Sequence, residues 1–126
     1  MSGDGPSGAE FDLLPPQRMI DFVGEGDFKV VGETFLTYLK NLAGLKPHEA
    51  ILDLGCGCGR MAIPLTRYLN AEGAYRGCDI YKEGVEWCTQ HIASKFPNFR
   101  FECVDIYNKR YNPDGKESAS VFRFPY

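Results

Sequence analysis

Residues 51–60 read ILDLGCGCGR, a short apolar run followed by three glycines that alternate with Cys56 and Cys58. The run at 50–54 has the pattern of a strand buried on both faces, as in parallel sheets. The glycines behind it allow a bend. Without a Cβ the chain takes positive φ at little cost, and a ligand can come close to the backbone. Residues 60–69 then read as a helix with Met61, Leu65, Tyr68 and Leu69 on one face. Pro64 is tolerated only in a first turn, where amides lack helical partners, so this helix is expected to start near Gly59. A helix starting there turns free amides and the positive end of its dipole toward any anionic group above the bend.

Working outward, 70–73 read as a turn and 74–79 as a second strand. Residues 82–96 form a second crossover helix, with Val85, Cys88, Ile92 and Phe96 inward and Pro97-Asn98 ending it. Residues 99–104 alternate, with Phe99, Phe101 and Cys103 set against Arg100, Glu102 and Val104, and make a third strand. Upstream, Pro15 and Pro16 open a short helix with Pro16 at its first position. Phe28, Val31, Phe35, Tyr38, Leu39 and Leu42 recur at helical steps. They predict a helix over 28–43, stopped by Gly44 and Pro47, whose stripe belongs to the core. From Asp105 the chain turns irregular.

The expected organisation is a disordered tail over 1–10, amino-terminal helices over 11–46, and a partial Rossmann-like domain over 47–126. Right-handed crossovers place the strands in the order 3-2-1, half of a doubly wound α/β parallel sheet.

Composition narrows the function. The net charge is −3, and no Lys/Arg cluster is present, so tight phosphate-mediated nucleic-acid binding is not expected. No apolar run approaches the roughly 18 residues of a membrane span, and MSGDGPSGAE lacks the apolar core of a signal peptide. The five cysteines are odd in number. Four sit in or beside apolar runs, which suits buried free thiols in a reducing cytoplasm. Cys56 and Cys58 lack the C-x₂₋₄-C spacing and second ligand pair of zinc sites, and His48 and His91 fall at unrelated places. No metal site is expected.

The glycine spacing selects among ligands. In the dinucleotide fingerprint G-x-G-x-x-G, counted from Gly55, the third glycine falls at position 60, which is Arg60. The phosphate-binding pattern G-x-x-x-x-G-K-[ST] is absent. The pattern present is D-x-G-x-G-x-G, from Asp53 to Gly59. After a buried strand it resembles motif I of the class I S-adenosylmethionine-dependent methyltransferases. The resemblance covers roughly residues 28–126. Within the family it is similar to members whose motif I reads LDLGCGxGR and whose segment before the fourth strand reads like FRFPY.

That resemblance implies S-adenosyl-L-methionine as cofactor. Asp53, Gly55, Cys56, Gly57 and Gly59 would form its cradle, with Cys56 near the sulfonium. Asp79, ending the second strand, would accept from the ribose hydroxyls, and Ile80 would press on the adenine. Asp105, ending the third strand, would accept from the adenine amino group, with Ile106 holding the ring's other side. Asp79 alone would serve NAD equally well. Plainer readings stand beside these: a ligand-free tight turn at the glycines, a helix cap at Asp79 and a turn residue at Asp105. Trp87 and His91 read as packing and surface residues.

The expected function is methyl transfer to an unidentified small-molecule acceptor. The alternatives are a non-catalytic module that keeps the fold, and half of a nicotinamide-linked oxidoreductase. No catalytic residue is assigned, because the family's catalytic positions follow a fourth strand. The chain is expected to be an amino-terminal half, truncated after the third strand. The first strand would then be an uncovered edge that invites self-association, and cofactor binding by the chain alone is expected to be weak or absent. Residues 11–26 are expected to cover the site as a lid or acceptor wall.

Overall fold

The computed structural model describes residues 13–120, 122 and 123. The tail expected over 1–10, the start of the 11–26 segment and most of the closing FRFPY lie outside the described residues. The elements are α1 (Gln17–Val23), α2 (Phe28–Asn41), β1 (Ala50–Leu54), α3 (Ala62–Leu65), β2 (Ala74–Asp79), α4 (Lys82–Cys88) and β3 (Phe99–Cys103). α4 runs on into a π-helical turn, Thr89–Ala93. The sheet is parallel, with β2 central between β1 and β3, which is the expected 3-2-1 order. Among the described residues no helix is long and apolar enough to cross a membrane.

Register explains the core. Ile51, Tyr75 and Phe99 lie side by side across the three strands, and Asp53, Gly77 and Phe101 form the next such row. Ile51, Tyr75, Phe99 and Phe101 join Leu65, Leu69, Cys88 and Ile92 in one apolar cluster, so both crossover helices serve the same face. That follows from two right-handed crossovers running in the same direction across the sheet. The opposite face carries Leu52 and Leu54 of β1, which are 47% and 56% exposed. The expectation that β1 is buried on both faces is therefore corrected. Its apolar sequence is covered on one side only among the described residues.

The stripe expected along α2 is also corrected. Asp27 caps the helix by accepting from the Val30 amide at 3.0 Å, and the start at Phe28 is as read. The inward residues are Phe28 and Gly32, with Leu36 and Leu39 packed behind them. Phe35, Tyr38 and Leu42 are exposed. Two overlapping stripes satisfy the same periodicity, and Gly32 decides between them. A Cβ at Gly32 would stand 2.4 Å from the Arg60 carbonyl, so only glycine lets α2 approach the 60–65 segment this closely.

α3 is short at both ends. The helix expected over 60–69 is a single four-residue stretch, Ala62–Leu65, flanked by turns. At its start, proline has no N–H to return to the Arg60 carbonyl, so one bond is missing there, while the Ile63, Leu65 and Thr66 amides donate to the Gly59, Met61 and Ala62 carbonyls. Downstream, Arg67 donates to the Pro64 carbonyl and Tyr68 to the Leu65 carbonyl, both at 3.1 Å and both over three residues, the tighter 3₁₀ spacing. At α1, Pro16 is the cap residue just outside the helix, one position earlier than expected. In α4 and its π turn, Val85, Cys88 and Ile92 are buried as expected.

β3 ends at Cys103, where the ladder stops and the alternation reverses. Val104 is buried and Cys103 is exposed, which corrects its expected inward placement. Cys56, Cys58, Cys78 and Cys88 are free and buried, as the sequence implied.

These packing assignments predict a contrast. Gly32→Ala is expected to cost about 1–3 kcal/mol in urea unfolding, because the new methyl must push α2 off the Arg60 carbonyl. Leu42→Ser, at an 81% exposed position, is expected to stay within about 0.5 kcal/mol of the parent. A larger loss at Leu42 would restore the stripe read from periodicity.

Candidate cofactor-binding site

The site is built where β1 meets the glycine bend. Gly55, Gly57 and Gly59 have φ of +98°, +58° and +100°. This left-handed backbone, which costs other residues about 1–2 kcal/mol each, accounts for a glycine at every second position. The bend stays attached to the sheet through the amides of Gly55 and Cys56, which donate to the Cys78 carbonyl at 2.7 and 3.0 Å.

Asp79 holds the next part of the loop. Its Oδ2 accepts from the Gly57 amide at 2.6 Å, and its Oδ1 accepts from the Tyr81 amide at 2.8 Å. One carboxylate thus ties the glycine loop to the turn leading into α4. The cap of α4 is Tyr81, with no side-chain cap bond, so Asp79 holds the turn before that helix rather than capping it, and it lines a cleft beside the loop. Gly84 of α4 lies against the loop from below, where a Cβ would stand 2.6 Å from the Gly57 carbonyl.

Two clefts flank the loop. The larger, about 420 Å³, is lined by Gly55, Gly57, Asp79, Ile80 and Ile106 of the expected residues. Val104 and Tyr111 add further apolar and aromatic wall. The smaller, about 200 Å³, is lined by Asp53, Gly55, Cys56 and Gly57, with Cys58, Arg60, Met61 and Phe35 beside them. Gly59 lines neither. It packs under the loop, where a Cβ would meet Ile92 and Cys88. Asp105 lines neither as well. Its Oδ1 accepts from Asn112 Nδ2 at 3.0 Å, while its neighbours Val104 and Ile106 line the larger cleft.

Asp53 has a partner that sequence reading missed. The buried Tyr75 hydroxyl donates to Asp53 Oδ2 at 2.6 Å. Tyr75 reaches it by lying over Gly77, where a Cβ would stand 2.9 Å from the hydroxyl oxygen. Phe99 stacks on its ring at 5.1 Å. Burial holds the Asp53 carboxyl above its usual range. The Tyr75 hydrogen bond opposes that shift, and the negative charge of Asp79 reinforces it. Burial also raises the Cys58 thiol to about 11, against the pull of Arg60, and raises Cys56 and Cys88 further. These thiols stay protonated near neutral pH and serve as small packing residues. Among the described residues no three His, Cys, Asp or Glu side chains converge as metal ligands would.

α1 covers the loop. Val23 lines both clefts. Phe22 packs between Tyr81 at 4.9 Å and Tyr111 at 5.1 Å. Arg110 lies over the Phe22 ring and donates to the Phe22 carbonyl at 3.1 Å. A two-pronged ion pair from Arg18 to Glu83 ties α1 to the first turn of α4. Local signals could have pointed to Arg60 and Met61, which directly follow the glycines. Val23 belongs to the 11–26 segment expected to cover the site, whereas nothing local marks Tyr111, which reaches it from 52 residues beyond Gly59 in sequence.

A family model described as "Methyltransferase domain" matches residues 45–117, more than half of the chain. A probable cobalt-precorrin-6B C(15)-methyltransferase (decarboxylating) from Thermoplasma acidophilum is 26% identical over 80 residues, 62% of this chain and 38% of that protein. A 2-phytyl-1,4-naphtoquinone methyltransferase from Nostoc sp. is 27% identical over 99 residues, 77% of this chain and 42% of that protein. An arsenic(III) S-adenosylmethionine methyltransferase from Chlamydomonas reinhardtii superposes on 82% of this chain and 33% of its own, with a TM-score of 0.45 and 17% identity. The chain spans about two fifths of the length of the curated relatives it matches. With the motif, the parallel strand order and the family match in agreement, the chain belongs to the class I S-adenosylmethionine-dependent methyltransferase family.

Proposed function

We propose that this chain forms the S-adenosylmethionine-binding part of an enzyme that methylates a small molecule. The observation that carries the reading is Asp79. Its carboxylate is fixed by the Gly57 and Tyr81 amides at the rim of an apolar cleft of about 420 Å³. A fixed acceptor pair suits two neighbouring sugar hydroxyls, and walls such as Ile80, Val104 and Ile106 suit a flat base. The cofactor supplies a methyl group already activated on a sulfonium. The chain's own work is to bind, orient and keep water out, the kind of contribution alignment makes to a bimolecular reaction. Val23 and Phe22 place α1 over the loop, which supports its role as a cover or as part of an acceptor wall. The acceptor is left open by relatives that name a precorrin and a naphthoquinone.

The reading is tested by titrating the chain with S-adenosylhomocysteine and with NAD, followed by chemical shifts up to millimolar ligand. Binding of S-adenosylhomocysteine with Kd weaker than about 1 µM is expected, because β1 has an unpaired outer edge among the described residues. NAD is expected not to bind. Preference for NAD would sink the proposal. Failure of the wider enzyme to methylate any acceptor, with binding intact, would instead favour a non-catalytic module.

A second prediction concerns Asp53. Its carboxyl is raised in the folded chain by burial, so the folded state binds more protons than the unfolded state just above the usual aspartate range. Stability therefore falls as pH rises through that window. Asp53→Asn is expected to unfold at higher temperature than the parent at pH 7. That difference should shrink as pH is lowered toward the ordinary carboxylate range, while S-adenosylhomocysteine binding weakens. A melting point unchanged at every pH would show that the buried charge carries no cost.

A further inference from the structure

The described residues form a further cavity, of about 260 Å³, bordered by the segment before α1, by α2 and by α3. Its floor is apolar. Leu13, Phe28, Ile63 and Pro64 line it, and all four are buried. Phe28 and Pro64 come together there because Gly32, one turn after Phe28, lets α2 close on the 60–65 segment. Neither the glycine loop nor Asp53 and Asp79 take part in this cavity.

The rim is basic. Lys29 and Glu33 stand one turn apart on α2, and Arg67, just after α3, pairs with Glu33. Arg60 lies with its guanidinium over the Phe28 ring at 5.5 Å. Three cations thus surround one acid, in a chain whose net charge is −3. Nη2 of Arg60 is buried against Gly24 without a hydrogen-bond partner, so Arg60 adds positive potential here rather than a bond. Lys29 is different: its ammonium is a point charge on a flexible stem, with three donors that can turn toward a ligand. A positive rim over an apolar floor selects among ligands. An inorganic anion would leave the floor bare, and a hydrocarbon would leave the rim unused. A molecule with an apolar body and one carboxylate uses both.

We propose that this cavity is a second binding site, which takes a small molecule with an apolar body and one carboxylate. The apolar body lies on Phe28 and Ile63, and the carboxylate lies at the rim beside Lys29 and Arg67. Glu33 works against the ligand, because it shares Arg67 with it and repels its charge. The site goes beyond the cofactor reading and does not depend on it. Arg60 is the lining residue it has in common with the smaller cleft beside the loop.

The test titrates the full chain with three probes, followed by chemical shifts: phenylacetate, its neutral amide phenylacetamide, and acetate, which keeps the charge without the ring. Phenylacetate is expected to saturate with a Kd of about 1 mM, the strength that about ten ligand atoms supply, and to shift Leu13, Phe28 and Ile63. Phenylacetamide is expected to bind about tenfold more weakly, through loss of a charge-assisted bond. Acetate should give no saturable shift at these residues. Two substitutions at exposed positions of α2 should then move the acid in opposite directions and leave the amide unchanged. Lys29→Gln is expected to weaken phenylacetate about threefold, and Glu33→Gln to tighten it about twofold, as partly screened charges do. Equal affinity for the acid and its amide overturns the proposal, as do Lys29 and Glu33 variants that leave phenylacetate binding unmoved. Shifts centred on Gly55 to Gly57 would put the probe in the cofactor clefts and overturn it too. So would the absence of any saturable shift up to about 20 mM, the result expected if another part of the chain fills the cavity.

Discussion

The Asp79 carboxylate, accepting from the Gly57 and Tyr81 amides, is the interaction on which the site depends. Three glycines in left-handed conformations make a flexible bend in an unfolded chain, and glycine carries the largest backbone entropy to be lost on folding. A carboxylate anchored at the end of β2 gives that bend one shape. It bonds the middle of the loop on one oxygen and the turn into α4 on the other. One side of the larger cleft comes from the segments joined in this way, the loop, the end of β2 and the Ile80–Tyr81 turn, and Val23, Val104, Ile106 and Tyr111 complete it.

Close backbone approach is the second theme. Gly84 admits α4 to the loop carbonyl at Gly57, Gly32 admits α2 to the Arg60 carbonyl, and Gly77 leaves room for the Tyr75 ring to cross toward Asp53. Each contact brings a main element against the strand–loop–helix junction, so the junction is surrounded by contacts that a methyl group would break. The freed Arg60 carbonyl has a chemical origin: Pro64 cannot donate to it. The proline of α3 therefore leaves free the carbonyl that α2 packs against. Arg60 is thereby fixed at both ends, its main chain under Gly32 and its guanidinium under Gly24.

Polar groups around the loop are arranged asymmetrically. On the side of the larger cleft, Asp79 is bonded by backbone amides and the walls are aliphatic or aromatic. On the side of the smaller one, Asp53 is supported by the Tyr75 hydroxyl, and the Arg60 guanidinium packs on Phe28 and Gly24 with its Nη2 buried and lacking an acceptor. The cover formed by α1 closes over both through Val23, and it is itself held by an ion pair to α4 and by Arg110 and Tyr111 from the segment after β3. A ligand that used both clefts would need a flat, hydroxylated part and a charged, flexible part joined across the glycines.

Much of this was readable from residues 51–60 and their neighbours. The apolar run, the alternating glycines and the strand-end acids depend on local properties: side-chain alternation, the missing Cβ, and the short reach between consecutive elements. They set the element order, the parallel sheet with its 3-2-1 arrangement and the position of the cleft. Sequence alone could not choose which of two overlapping stripes of α2 turns inward, because both satisfy the helical period. It could not show that β1 has only one covered face, that Tyr75 steadies Asp53, or that Asp105 pairs with Asn112. Nor could it show that Nη2 of Arg60 is buried without a hydrogen-bond partner. Those features arise where segments far apart in sequence come within a few ångströms, and only the packed fold determines which atoms meet there.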